Sequence, residues 1–207
     1  MSRLESAWTQ CFADLGAPLP PSGVFEGLVA RYSEPHRAYH TLRHLEECFG
    51  WFAPARHLMS GPGEIAFALF YHDAIYDTHA ADNELRSAQL ACGVFEAFVR
   101  MDARAVGNLI SATSLHSAEG AGSEIRIMLD IDLSILGAAR VRFDEYESQV
   151  RQEYAWVEDR AFREGRTRIL NQFLARPVIY NTPFFRERLE AQAQENLKRS
   201  IAALAHQ

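Results

Sequence analysis

Cysteine is scarce in this chain, with three residues in 207: Cys11, Cys48 and Cys92. They are odd in number, widely spaced and form no CxxC pair. Neither a disulfide framework nor a cysteine zinc site is expected, and a reducing, cytoplasmic compartment is the natural reading. Long apolar runs are missing as well, since no stretch approaches the ~18 residues of a membrane span. The opening residues, MSRLESAWTQCF, lack a basic segment followed by an apolar one, so no secretory leader is expected. Positive charge is not in excess: 21 Lys and Arg face 27 Asp and Glu, a net charge of -6. Duplex nucleic acid and anionic membranes are therefore disfavoured as partners. There is no linker-like composition shift, internal repeat or low-complexity run, so residues 1–207 read as one domain.

What is present is helical periodicity. Apolar residues recur at three and four, which predicts helices near 3–15, 23–33, 39–58, 63–78, 82–100, 102–117, 122–130, 141–159, 161–175 and 184–204. Glycine and proline fall between them, as in Ser60-Gly61-Pro62-Gly63. Thr182 and Pro183 suit the start of the last helix. Only Pro177-Val178-Ile179-Tyr180 has strand-like composition, and one short run cannot make a sheet. The expectation is a single all-α helical bundle. Ile65, Ala68, Leu69, His72 and Tyr76 would form a core-facing stripe that carries a histidine inward. The last helix, with Phe184, Phe185, Leu189, Leu197 and Ile201, could line the core or form a homodimer face.

Three segments could carry chemistry. His40 and His44 are spaced i, i+4, so on a helix they share a face. The pair could bind one metal, or one could ligate while the other orients substrate. With eight histidines in the chain such a spacing is weak alone. His72-Asp73 follows a run of apolar residues, where a carboxylate would lose hydration unless paired or coordinated. The plainer reading is a core histidine with Asp73 at the solvent edge. Asp130 and Asp132 stand among Ile, Met and Leu in IMLDIDLSILG, so either they cap a following helix or at least one meets a cation.

The ordered set H…HD…D on a helical chain resembles the HD-domain superfamily of metal-dependent phosphohydrolases. The longer strings PHRAYHTLRHLEEC, FYHDAIYDTHAADNELRSA, LDIDLSILG, VRQEYAWV and RPVIYNTPFFRERLEAQAQENL are similar to a group of predicted members. The likeness runs from about residue 30 to the C-terminus. It implies that His44, His72, Asp73 and Asp132 ligate the metal, with Asp130 as the fallback for the last position. One departure stands out. Many members place a lysine shortly after the HD pair, where this chain has Ala74-Ile75-Tyr76-Asp77.

Two imidazoles and two carboxylates suit Mn²⁺, Fe²⁺, Co²⁺, Ni²⁺ or Zn²⁺, and less selectively Mg²⁺. Such a cation would activate water and offset charge on a phosphoryl group. No Ser or Cys nucleophile motif such as GxSxG is present, so direct attack by water is expected. Asp77, four residues after Asp73, is the candidate general base, with Glu84 as its rival. Arg37 and Arg151 are candidates for phosphate contact, because guanidinium grips phosphate oxygens bidentately. His40 is a third candidate substrate contact. His116 reads as a histidine favoured by a helix C-terminus, or as an additional ligand. The expected function is hydrolysis of a small phosphorylated molecule such as a nucleotide. The alternatives are a di-iron oxygenase of the HD type and a non-catalytic metal- or ligand-binding regulatory module.

Overall fold

The computed structural model describes residues 2–114, 116, 118 and 120–205. Among them are ten α-helices, two short 3-10 helices and no strand, so the protein is all-α as expected. The chain divides into two compact units, Met1–Asp132 and Leu133–Gln207. None of the described helices is long and apolar enough to cross a membrane.

The first unit holds α1 (Arg3–Asp14), α2 (Ser22–Arg31), α3 (Leu42–Ala55), α4 (Pro62–Tyr71), α5 (Asn83–Phe98), α6 (Arg104–Thr113) and α7 (Ser123–Asp132). A 3-10 turn, Arg56–Leu58, follows α3. α1 opens with a capping box: Ser2 Oγ accepts from the Glu5 N–H, and the Glu5 carboxylate accepts from the Ser2 N–H. Proline occupies the first position of α4, where its missing N–H costs no helix bond. From Ile65 to Tyr71 every residue of α4 is buried. This differs from the one-sided stripe that the spacing suggested. A helix apolar all round belongs inside, and α1, α3, α5, α6 and α7 pack against it. Trp8, Phe12, Phe67, Phe70, Tyr71 and Phe95 interlock there; the Trp8 and Phe70 rings meet edge-on at 5.0 Å, as do Phe67 and Phe95. The rigid end of α4 delivers His72.

Several boundaries differ from expectation at residues with candidate chemistry. α3 begins at Leu42, so His40 precedes the helix and the i, i+4 argument for His40 and His44 does not apply. α4 stops at Tyr71 rather than near 78, so Asp73 and Asp77 do not share a helix face. α7 runs on to Asp132, so Asp130 lies inside a helix and Asp132 ends it, with a 3-10 turn starting at Leu133. The expected helix 102–117 ends at Thr113, and positions 115 and 117 lie outside the described residues.

The second unit comprises a 3-10 turn (Leu133–Gly137), α8 (Arg140–Glu153), α9 (Asp159–Leu174) and α10 (Pro183–Ala205). The buried Asn196 amide on α10 donates to the carbonyls of Leu136 and Ala138, each at 2.9 Å, tying α10 to the 3-10 turn. Arg166 on α9 pairs with Glu147 on α8. The strand-like run at 177–180 is a bend. Its Ile179 and Tyr180 N–H groups donate to the Glu190 carboxylate at 3.0–3.1 Å, which replaces a sheet partner.

Candidate metal centre

Four side chains from three separated segments meet inside the first unit. His44 sits at the third position of α3, His72 caps the C-terminal end of α4, Asp73 follows it, and Asp132 ends α7. The His44 and His72 Nε2 atoms are 3.1 Å apart. Asp132 Oδ1 lies 3.4 Å from His44 Nε2 and 3.3 Å from His72 Nε2. Asp73 Oδ2 lies 3.1 Å from His72 Nε2 and 3.5 Å from His44 Nε2. Metal bonds of about 2.0–2.2 Å place neighbouring ligand atoms roughly 3.0–3.5 Å apart, whether at right angles or at tetrahedral corners. The observed spacings match. His44, His72 and Asp132 each offer one ligand atom, all within 4.8 Å of one another, and so could hold a metal ion. Asp73 borders the same imidazole pair.

The chemistry of the donors fits a cation. His72 Nδ1 is 2.8 Å from the Leu69 carbonyl, which only accepts. The neutral ring therefore carries its proton on Nδ1 and turns the Nε2 lone pair to the cluster, a common arrangement for metal-ligating histidine. Asp132 is the last residue of α7, and His72 and Asp73 follow the end of α4. Both helices direct their negative ends to the site, which disfavours carboxylates there unless positive charge offsets them. Both imidazoles are buried, at 2% and 1% side-chain exposure, whereas Asp73, Asp132 and His116 reach 17%, 11% and 30%. The cluster therefore opens to solvent at its carboxylates, at Asp73 as well as at Asp132 and His116.

Without a cation, the groups compensate one another. Burial alone would push the His72 imidazole toward neutrality, but Asp73 and Asp132 outweigh it and hold its pKa well above the usual value. Burial would likewise raise the Asp132 carboxyl, but His72 and then His116 hold it well below the carboxylate range. A divalent ion would take the place of those protons.

No family model, curated protein or solved structure matches the chain.

The remaining candidates separate. Asp130 is fully buried on α7, but a residue two positions away points about 200° round the helix from Asp132. It is not part of the ligand group. Asp77 makes no hydrogen bond or ion pair with the cluster. It is exposed, and its carboxylate accepts from the His79 N–H in a local turn. Glu84 is half-buried in the first turn of α5 and makes no hydrogen bond or ion pair with the cluster. Arg37 does not reach out to phosphate. Its side chain is fully buried, bonded to Glu34 and to three backbone carbonyls. Arg151 belongs to the second unit, where it donates to the Tyr154 and Val157 carbonyls and pairs with Asp159. That links the end of α8 to the start of α9, at the wall of a cavity that Arg163 and Arg199 also line. His40 does lie near the cluster, its ring 5.9 Å from that of His44 and stacked on Tyr76 at 4.1 Å.

His116 reaches Asp132, but not from the helix end expected of it. It does not end a helix but lies beyond α6 with a left-handed φ of 45°. Its Nε2 is 3.1 Å from Asp132 Oδ2, on the side away from the His44–His72 pair. Periodicity carried no signal for this contact. Cys48, one helical turn from His44 with its sulfur 3.7 Å from Nε2, was likewise read only as core.

Proposed function

We propose that this protein is a metal-dependent phosphohydrolase of the HD type that hydrolyses a small phosphorylated molecule, with nucleotides the first class to test. The observation that carries the reading is the convergence of two buried imidazole Nε2 atoms and the Asp132 carboxylate, with Asp73 alongside, at 3.1–3.5 Å. His44, His72, Asp73 and Asp132 would hold a first-row divalent ion such as Mn²⁺, Fe²⁺, Co²⁺, Ni²⁺ or Zn²⁺. When bound, that ion supplies a lowered pKa for water and neutralises charge on the phosphoryl oxygens.

The chain's own residues supply the rest. The Leu69 carbonyl fixes the His72 tautomer. Buried His44 and His72 close the imidazole side, while water and substrate would enter at the carboxylates, where Asp73, Asp132 and His116 reach solvent. His40, beside the cluster and stacked on Tyr76, would contact the substrate. The resident compartment is reducing and cytoplasmic, in keeping with three free thiols.

The test is turnover on phosphomonoesters, phosphodiesters and nucleotides with each of these ions, beside His72→Ala. Hydrolysis lost in the variant supports the reading. A metal-loaded wild type inert across the whole panel overturns it in favour of a non-catalytic module. A second reading, a di-iron oxygenase, draws on one observation: His116 offers another nitrogen at Asp132. Two irons per chain with a visible charge-transfer band would replace hydrolysis with that chemistry.

A further inference from the structure

The backbone of residue 73 is held from two sides by side chains of one distant segment. Its N–H donates to the Tyr32 hydroxyl at 3.3 Å, and its carbonyl accepts from Arg37 Nη1 at 2.7 Å. The same guanidinium donates to the carbonyls of His40 at 3.1 Å and Ala74 at 3.2 Å, and through Nε to Glu34 at 3.0 Å. It lies between two aromatic faces, 5.1 Å from the Tyr32 ring centre and 5.4 Å from that of Tyr76. Tyr76 in turn stacks on the His40 ring, with planes inclined by 28°. The order is Tyr32, Arg37, Tyr76, His40, a column that ends beside Asp73 and His44.

We propose that Tyr32 and Arg37 are positioning residues that clamp the turn after α4 and so set where His40, His72 and Asp73 stand around the cation. The proposal rests on the metal reading of the cluster. A buried carbonyl requires a donor, and here Arg37 serves three of them from two segments with one rigid fork. Lysine cannot do the same, since its three donors radiate from one nitrogen. The clamp also explains where α4 ends: the carbonyls of 73 and 74 bond to Arg37 instead of to a further helical turn.

Two variants test it, Tyr32→Phe, which deletes one oxygen, and Arg37→Lys, which keeps the charge. The readouts are Zn²⁺ affinity by competition with a chromophoric chelator, and NMR of the metal-free protein. Arg37→Lys should bind Zn²⁺ about 10- to 100-fold more weakly and Tyr32→Phe about tenfold, as for other residues that orient ligands. In the metal-free protein, Tyr32→Phe should speed exchange of the Asp73 amide, and Arg37→Lys should shift the His40 and His72 imidazole signals. If Arg37→Lys does not fold, Tyr32→Phe decides alone. Variants that melt at lower temperature yet keep wild-type affinity and wild-type signals overturn the proposal, because a merely structural role would look like that. A wild type that takes no Zn²⁺ removes the metal reading instead, and the amide exchange and imidazole signals then decide the clamp by themselves.

Discussion

Asp14→Asn is expected to destabilise the first unit at neutral pH, and acid should erase the difference. Asp14 ends α1 and receives two hydrogen bonds from Arg56 at 2.5 and 2.6 Å, both guanidinium nitrogens donating to separate carboxylate oxygens. That fork joins α1 to the turn after α3. Each bond to a charged group is worth about 1.5–3 kcal/mol when shielded. Arg56 is 38% exposed, however, and exposed pairs are heavily screened. Asparagine also keeps one acceptor. The net loss should be about 1–2 kcal/mol, or roughly 2–8 °C in melting temperature for a chain of this size. The hydrogen bond from Arg56 holds the Asp14 carboxyl below its ordinary value. A group whose folded pKa is depressed stabilises above its unfolded pKa of about 3.9, and that stability is lost as pH falls through the folded value. The gap between wild type and variant should therefore be full at pH 7 and shrink below about pH 4. Denaturant melts at several pH values read the gap, and carbon NMR titration of Asp14 should show its pKa rising in Arg56→Gln. A gap that widens on acidification, or no gap at pH 7, would show that the Asp14–Arg56 pair does not carry this stability.

Other expectations follow from single contacts. Gly137→Ala would place a methyl 2.6 Å from Leu189 Cβ and 2.8 Å from the Leu189 carbonyl oxygen, so a loss of about 2–3 kcal/mol should appear in denaturant melts. Phe67→Ala should cost about 3–5 kcal/mol, since the ring is fully buried between Trp8, Phe12, Tyr71 and Phe95. An unchanged melt would remove that packing argument. His116→Ala should weaken Mn²⁺ or Zn²⁺ binding about tenfold or more, because it removes the group that holds Asp132 from outside the imidazole pair. Equal affinities would place His116 outside the metal's influence.

The class of the fold was legible because apolar spacing and Gly/Pro punctuation are local signals. The ends of helices were not, because tertiary partners decide them. Nothing local in Tyr71-His72-Asp73-Ala74 says that Arg37 will capture two of its carbonyls. Nor does IMLDIDLSILG show whether its carboxylates begin a helix or end one. For the site, the four side chains that the fold gathers were implied by the resemblance of the chain to HD-domain proteins, and not by the spacing within any one segment. Supporting roles depended on helix phase, and they shifted when the phase did. Asp77 left the face of Asp73, and Arg37 turned inward as a brace. His116 came in from a loop with no periodicity to read.

The decisive measurement is the metal content of protein purified without added metal or chelator, by elemental analysis beside His72→Ala and Asp132→Ala. Wild type should carry about one first-row divalent ion per chain, and each variant should carry almost none. A wild type that stays empty even after incubation with these ions, or variants that retain the full complement, would contradict the metal reading.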